Sequence, residues 1–204
     1  MNKGFTLLEL LIVIAILAIL ASAAAVVLNP GEILRKGRDS SRVTDLNSIR
    51  TAINYYIANT SSPVLGSNSS VGCTDQTTGY TYTHIANAGV FIGGTTSSAS
   101  TTRTVAGAGW IPVALSSLTG GSPLVAWPVD PSGATATSAS RYYAYLCNNA
   151  NATFTVFADM ESSTYARGGS GDVESTDGGN IATVYEMGTA FLAASTTANF
   201  YSSE

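Results

Sequence analysis

The sequence predicts an α+β protein, in which a long N-terminal helix packs on a small antiparallel β-sheet with long Ser/Thr/Gly-rich loops. Three observations lead to this prediction. Residues 10–28 form an apolar run in which Ser22 is the single polar residue. Residues 43–57 repeat apolar side chains every three to four positions, which is typical of an amphipathic helix. Residues 153–160 mostly alternate between polar and apolar side chains, which is the period of a strand with one face on the core.

The first apolar segment is long enough to cross a membrane. At about 1.5 Å per residue, a helix from Leu10 to Leu28 matches the ~30 Å hydrocarbon core of a bilayer. Glu9 lies at its start, and a charge inside such a helix costs on the order of 2.5–3.5 kcal/mol, so it usually has a partner or a function. Lys3 is the only cation before Arg35. We therefore expect that no nearby group of the chain neutralises Glu9.

The apolar helix should be interrupted after Leu28, where the sequence reads Asn29-Pro30-Gly31. Proline removes a backbone donor and clashes with the preceding turn. The same residues suit the start of a second helix, with Asn29 as N-cap, Pro30 as first residue and Glu32 completing a capping box. The pattern therefore predicts an amphipathic helix that begins here and ends near Ala58.

The N-terminus carries a specific motif. A short basic leader ending in Gly4, followed by Phe5-Thr6-Leu7-Leu8-Glu9, resembles the processing site of type IV prepilins and the related pseudopilins. The resemblance implies that prepilin peptidase cuts after Gly4 and that the new terminal residue, Phe5, is N-methylated. It also implies a partner for Glu9, the α-amine of Phe5 on a neighbouring subunit, since an α-amine has a reference pKa of about 7.7–8.0. Such a buried pair can fix the register of assembly.

The resemblance extends to partners and location. It implies a subunit that is inserted in the cytoplasmic membrane with its N-terminus inside and its domain outside, and that later joins an extracellular or periplasmic helical homopolymer. Further partners would be an assembly platform and a cytoplasmic ATPase, which this chain cannot itself be because it has no G-x-x-x-x-G-K motif. The predicted division is a leader (1–4), a filament-core helix (5–28), an amphipathic helix (29–58) and an exported β-rich domain (59–204).

Other interpretations of the N-terminus remain open. An ordinary signal peptide cut after Ala23 or Ala25 would make a secreted protein, and a plain single-span anchor would need no processing. Against a signal peptide, the apolar stretch exceeds the usual 7–15 residues or so, and a glutamate just before it is out of place. Within the pilin class, a minor pilin or tip adhesin is the alternative to a major filament subunit.

The charge is distributed unevenly. From Thr51 onward the chain has three cations and nine anions, and no basic stripe for nucleic acid is evident. Residues 29–50 instead form a positive collar after the span, whose exported position runs against the positive-inside tendency. Its five cations are opposed by three anions, and Arg38, Asp39, Arg42 and Asp45 are expected on the polar faces of the helix. The cations are Arg35, Lys36, Arg38, Arg42 and Arg50.

Cys73 and Cys147 are the only cysteines. An even count in a chain that carries an export signal predicts one disulfide, with two buried free thiols as the alternative. No CxxC motif or cysteine–histidine cluster offers a metal or redox site.

The remainder alternates between strands and loops. A Trp127-Pro128-Val129-Asp130-Pro131 segment, a Tyr-rich strand and a hairpin return resemble the C-terminal sheet of major pseudopilins. Predicted strands are Tyr80–His84, Gly89–Ile92, Arg141–Cys147, Thr153–Glu161 and about Ala182–Phe191. Predicted loops are Ser61–Ser70, Gly93–Gly109 and Ser132–Ser140.

The chemistry-bearing residues do not predict an enzyme. His84 is the only histidine and is expected on the surface or only partly hydrogen-bonded, and no serine lies in a G-x-S-x-G motif. Asp172, Glu174 and Asp177 form an acidic cluster on a glycine-rich stretch. We weigh calcium as its candidate ligand, but the spacing does not match an EF-hand and a solvated acidic loop is the favoured interpretation. No other cofactor is expected.

Overall fold

The computed structural model describes residues 4–66, 73, 81–85, 97–132 and 141–189, with no side-chain description for residues 25–28 and 97. Two helices come first, followed by short strands that form a five-stranded sheet in the order β2-β1-β3-β4-β5. The α+β class is therefore confirmed. The elements are α1 (Leu7–Leu28), α2 (Pro30–Asn59), β1 (Thr81–Thr83), β2 (Ser97–Ala99), a 3-10 turn (Leu115–Ser117), β3 (Ala144–Asn148), β4 (Thr153–Ala158) and β5 (Tyr185–Gly188).

Asn29 separates the two helices. Its backbone is left-handed, with φ 39° and ψ 75°, a conformation that asparagine adopts more readily than most residues. Its side chain accepts a hydrogen bond from the amide of Glu32 at 3.4 Å, and Pro30 is the first residue of α2. The capping box forms only in part, because the Glu32 carboxylate instead accepts hydrogen bonds from the amide and hydroxyl of Ser163, at 2.7 and 2.8 Å.

The sheet is mixed, so the prediction of a purely antiparallel sheet is wrong. β1 pairs antiparallel with β3, β3 with β4 and β4 with β5, whereas β1 and β2 run parallel with Tyr82 opposite Ser98. Residues 84–96 separate these two strands, which is the chain length that a parallel crossover requires and a hairpin does not. β2 also lies within the segment predicted as the loop Gly93–Gly109, and the predicted strand Gly89–Ile92 falls outside the described residues.

Strand β3 begins later and β4 ends earlier than the sequence pattern predicts, because backbone amides at these ends are hydrogen-bonded to buried side chains. Beyond Ala158, the amide of Met160 donates to Glu174 at 3.0 Å and the amide of Ser162 donates to Asp39 at 2.7 Å. At the start of β3, the amide of Tyr143 donates to Nδ1 of His84 at 3.3 Å. These amides are therefore paired with side chains rather than with a neighbouring strand.

One hydrophobic core joins α2 to the sheet. Leu46, Ile49 and Ile53 of α2 are fully buried, as the helical repeat predicts. They belong to the same buried cluster as Val156 of β4 and the side chains of Trp110 and Trp127 from the long connection between β2 and β3. The expectation that β4 has one exposed face is wrong, because Thr155 and Phe157 on its opposite face are also fully buried.

Candidate functional site

Helix α1 carries a large uncovered apolar surface. Every residue from Gly4 to Ala24 is exposed, and even the least exposed large side chain, Val13, keeps 47% of its surface accessible. Within the described residues, α1 is the one helix that is long and apolar enough to cross a membrane, over Leu7–Ala24. A folded domain does not leave such a surface in water, so lipid or other protein chains must cover it.

The start of α1 is a capping box. Thr6 is the N-cap, and its hydroxyl accepts a hydrogen bond from the amide of Glu9 at 3.2 Å. In return the Glu9 carboxylate accepts hydrogen bonds from the amide and the hydroxyl of Thr6, both at 2.9 Å. The Thr-Leu-Leu-Glu spacing is the S/T-x-x-E signature of this motif, a signal that our sequence analysis did not use.

The capping box gives the Glu9 carboxylate hydrogen bonds but leaves its negative charge without a counter-ion. Thr6 supplies hydrogen bonds but no positive charge, so Glu9 still lacks a counter-ion from its own helix. Because the box begins at Thr6, a chain that starts at Phe5 keeps it complete. Gly4 is exposed and a Cβ there would meet nothing within 4 Å, so the bond after it is sterically open.

A buried ion cluster fixes α2 to the globular domain. Arg42 is fully buried and donates hydrogen bonds to Asp39 at 2.6 Å, to Asp130 at 2.7 and 2.9 Å, and to Glu161. Arg38 donates to the same Glu161 carboxylate at 2.9 Å through Nε. The cluster therefore joins one helix face to two separate loops, which is an arrangement that fixes orientation as well as distance.

Two carboxylates of this cluster, Glu161 and Asp130, are stabilised in their charged form. Burial alone would raise the pKa of Glu161, but hydrogen bonds from Arg38 and Arg42 outweigh it and lower that pKa to about 2. Burial also tends to raise the pKa of Asp130. The hydrogen bonds and the charge of Arg42 outweigh this effect, so the pKa of Asp130 lies below its ordinary value. Asp39 also accepts hydrogen bonds from the amides of Glu161 and Ser162.

The prediction that Arg38, Asp39 and Arg42 lie on polar faces of the helix is wrong for two of these residues. Asp39 and Arg42 are fully buried, and Arg38 is partly buried. The available signal was the presence of Asp130 and Glu161 beside apolar residues, in Trp-Pro-Val-Asp-Pro and Ala-Asp-Met-Glu. Buried carboxylates need partners, and Arg38 and Arg42 of the helix supply cations for them.

The two cysteines are brought together. Cys73 and Cys147 form a disulfide with their Cα atoms 5.0 Å apart. It links a residue of the long connection after α2 to β3, and the amide of Asn149 also donates to the carbonyl of Cys73 at 2.8 Å. Gly66 lies against the bridge, so close that an added Cβ would be 2.8 Å from Sγ of Cys147.

The acidic residues proposed for calcium each accept hydrogen bonds from different backbone amides. Asp172 accepts from Gly168 and Ser175, Glu174 accepts from Met160 and Arg167, and Asp177 accepts from Gly179 and Glu186. In the part of the chain that the structure describes, no three Asp, Glu, His or Cys side chains are grouped to hold a metal ion. The calcium site stays a prediction that this geometry does not support.

His84 is a core residue, so a surface position is wrong, whereas the alternative of a partly hydrogen-bonded histidine agrees with the structure: Nδ1 accepts from the amide of Tyr143 and Nε2 has no hydrogen-bond partner among the described residues. His84 is 1% exposed, and its ring centroid lies 5.7 Å from the rings of both Trp110 and Tyr143. Burial lowers its pKa to about 4, so the imidazole is neutral near pH 7. These ring contacts indicate that His84 serves the packing of the core.

Comparison with known protein families gives a match at the N-terminus. Residues 1–25 match the family described as the prokaryotic N-terminal methylation motif, the prepilin-type signature of type IV pilins and pseudopilins. No curated protein and no solved structure matches the chain. The match covers the capping box and most of the uncovered helix, so the motif and the exposed surface coincide.

Proposed function

We propose that this chain, which carries the N-terminal signature of type IV pilins and pseudopilins, is a structural subunit of a type IV pilus-like or pseudopilus filament. Prepilin peptidase would cut after Gly4, and Phe5 would become the methylated terminus. Copies would then polymerise by packing α1 from many subunits into a common apolar core. The observation that carries the proposal is the exposure of α1 from Leu7 to Ala24, beside a domain that has a buried core of its own.

Membrane and filament would offer α1 similar surroundings. The motif and the apolar helix indicate anchoring in the membrane before assembly. Moving α1 from lipid into a helix bundle exchanges one apolar environment for another, so packing and polar contacts decide the register. Glu9 is the polar group available for this, with the Phe5 amine of the next copy as its counter-ion. Transfer into the filament would require an assembly platform and ATPase, and the finished filament would lie outside the cytoplasmic membrane.

Glu9 now has two roles that an experiment can separate. Within its own helix Glu9 is the second residue of the capping box, a position that glutamine can also fill. Between subunits it is an anion, and glutamine cannot perform that role. Glu9→Gln therefore keeps the capping box while removing the charge, and Thr6→Ala removes the cap while keeping the charge.

We expect Glu9→Gln to insert in the membrane and to be processed, but to lose filament assembly at least tenfold. Thr6→Ala should lose helix-start stability, which costs about 1 kcal/mol for such a cap, and still assemble. Filaments are counted by electron microscopy of sheared cells, and insertion is checked by membrane fractionation. Filaments of the wild-type number from Glu9→Gln would refute the ion-pair role.

The N-terminus of the mature protein tests the processing step independently. Mass spectrometry of the purified chain should find a first residue Phe5 that carries one added methyl group. A chain that begins after Ala23 or Ala25 would show an ordinary secreted protein and would contradict the proposal. Few copies per filament, counted in purified fibres, would instead indicate a minor pilin or tip subunit.

A further inference from the structure

The cations of the positive collar after the span differ in their surroundings in the structure. Arg38 and Arg42 turn toward the domain and enter the buried ion cluster. Arg35 and Lys36 stay exposed, and so do Ile33 and Leu34 beside them, at 54% and 65%. We call Ile33, Leu34, Arg35 and Lys36 the membrane-proximal patch. Neither the domain core nor the ion cluster accounts for two exposed apolar side chains followed directly by two exposed cations.

We propose that the membrane-proximal patch docks on anionic phospholipid headgroups of the outer leaflet while the subunit is in the membrane, before it joins a filament. The inference rests on the outward topology of the proposed function. It assigns the patch one occupant, the headgroup layer, before filament assembly.

Position along the helix supports this assignment. Helix α1 ends at Leu28 and α2 begins at Pro30, so Lys36 lies about 9 Å along α2 from its first residue at 1.5 Å per residue. The interfacial layer extends roughly 5–7 Å beyond the hydrocarbon on each side. Helical side chains lean toward the N-terminus of their helix, so the stems of Arg35 and Lys36 lean back toward that layer. Ile33 and Leu34 lie about 4.5 and 6 Å along α2 from Pro30, within the depth of that layer.

Charge supports the same partner. Glu32 is the anion closest to the patch, and its carboxylate lies 3.7 Å from Arg35. Two cations, Arg35 and Lys36, against this one anion leave the patch with a net positive charge. Apolar side chains followed by exposed cations are the composition that binds an anionic interface, with each cation near the surface strengthening binding about fivefold. This also gives a purpose to cations on the exported side, where the positive-inside tendency would not place them.

The chain supplies its own reporter. Lys3 and Lys36 are the only lysines, and Lys3 belongs to the leader, so the mature chain has the single lysine Lys36. The mature chain is placed at one copy per nanodisc, in phosphatidylcholine alone or with about one-third phosphatidylglycerol. Acetylation of Lys36 by a water-soluble amine reagent is then followed by peptide mass spectrometry.

We expect Lys36 to react about fivefold more slowly in the anionic discs, and about 1 M salt, where the Debye length is ~3 Å, to remove the difference. Arg35→Gln and Ile33→Ser/Leu34→Ser should each reduce the lipid effect. Arg50→Gln is the matched control: it removes another exposed cation of α2 and should leave the lipid effect unchanged.

Equal rates in the two lipids would overturn the proposal. So would protection of Lys36 in assembled filaments combined with none in discs, since that result would assign the patch to a neighbouring copy. Because filament formation by the wild type and its loss in Glu9→Gln are measured separately, this inference can fail while the filament role stands.

Discussion

Replacing Arg42 with methionine tests the buried ion cluster directly. Methionine is close to the aliphatic length of arginine, so the substitution removes the charge and the hydrogen bonds with little change in volume. The variant would leave Asp39, Asp130 and Glu161 without their shared cation, although Arg38 stays beside Glu161. Breaking a buried ion pair by removing one partner typically costs 3–5 kcal/mol, against a total stability of about 5–15 kcal/mol for a domain.

The assay is urea unfolding of the mature chain held in a mild detergent. Trp110 and Trp127 are fully buried, so their fluorescence reports the opening of the core next to the cluster. We expect the free energy of unfolding at pH 7 to fall by about 3–5 kcal/mol in Arg42→Met. The control Arg50→Met removes an exposed cation whose one described contact is a weak hydrogen bond to Sδ of Met187 at 3.6 Å, and should change stability by less than about 0.5 kcal/mol.

The pH dependence of that loss checks the mechanism. Without Arg42, no cation offsets the burial of Asp130, so its pKa in the variant should rise and the folded state is penalised as pH rises. In the wild type the folded pKa values of Asp130 and Glu161 are lowered, which favours folding above the unfolded pKa near 4. The gap between variant and wild type should therefore shrink between pH 7 and pH 4. A loss below about 1 kcal/mol, or one independent of pH, would refute the role of the cluster.

Three further results follow from the described contacts. Since the folded pKa of Glu161 is about 2, its contribution to wild-type stability, on the order of 2 kcal/mol, should be complete above pH 5 and lost as pH falls toward 2, as unfolding midpoints across that range would show. Replacing Cys73 and Cys147 together with serine should cost about 4 kcal/mol, because the bridge closes a segment with a sequence separation of 74 residues, and calorimetry would detect an unchanged melting temperature if this is wrong. Gly66→Ala should cost about 1–3 kcal/mol with the disulfide intact, because its Cβ would press on the bridge, and a variant as stable as the wild type in urea would contradict that contact.

The N-terminal helices could be predicted from sequence because their signals are local. The end of α1 and the start of α2 depend on Asn29 and Pro30, whose backbone preferences act within one turn. The core-facing residues of α2 follow from a repeat of 3.6 residues, and Leu46, Ile49 and Ile53 are buried accordingly. The capping box of Thr6 and Glu9 was equally local and could have been recognised.

The ion cluster and the sheet order depend on long-range contacts, which periodicity does not encode. Arg42 meets Asp130 across 88 positions, and Asp39 meets the amide of Ser162 across 123. A helical pattern shows which residues share a face, but it does not show that two loops will cover the polar face. In the same way, the sequence of Thr81–Thr83 does not encode its parallel pairing with Ser97–Ala99.

The buried charges of α2 have counter-ions, whereas Glu9 of α1 has none from its own helix, and this difference favours assembly through α1. In α2, the buried charges Asp39 and Arg42 have their counter-ions and hydrogen-bond partners within the same domain, so that domain is complete as a single copy. In α1, Glu9 has hydrogen bonds from Thr6 but no opposite charge from its own helix, and the apolar surface around it is uncovered. An interior group that lacks a counter-charge is stabilised by any partner that brings one into the same apolar environment. A second copy of the chain, processed after Gly4 as proposed, would carry that cation on Phe5 together with an apolar helix to cover the same surface.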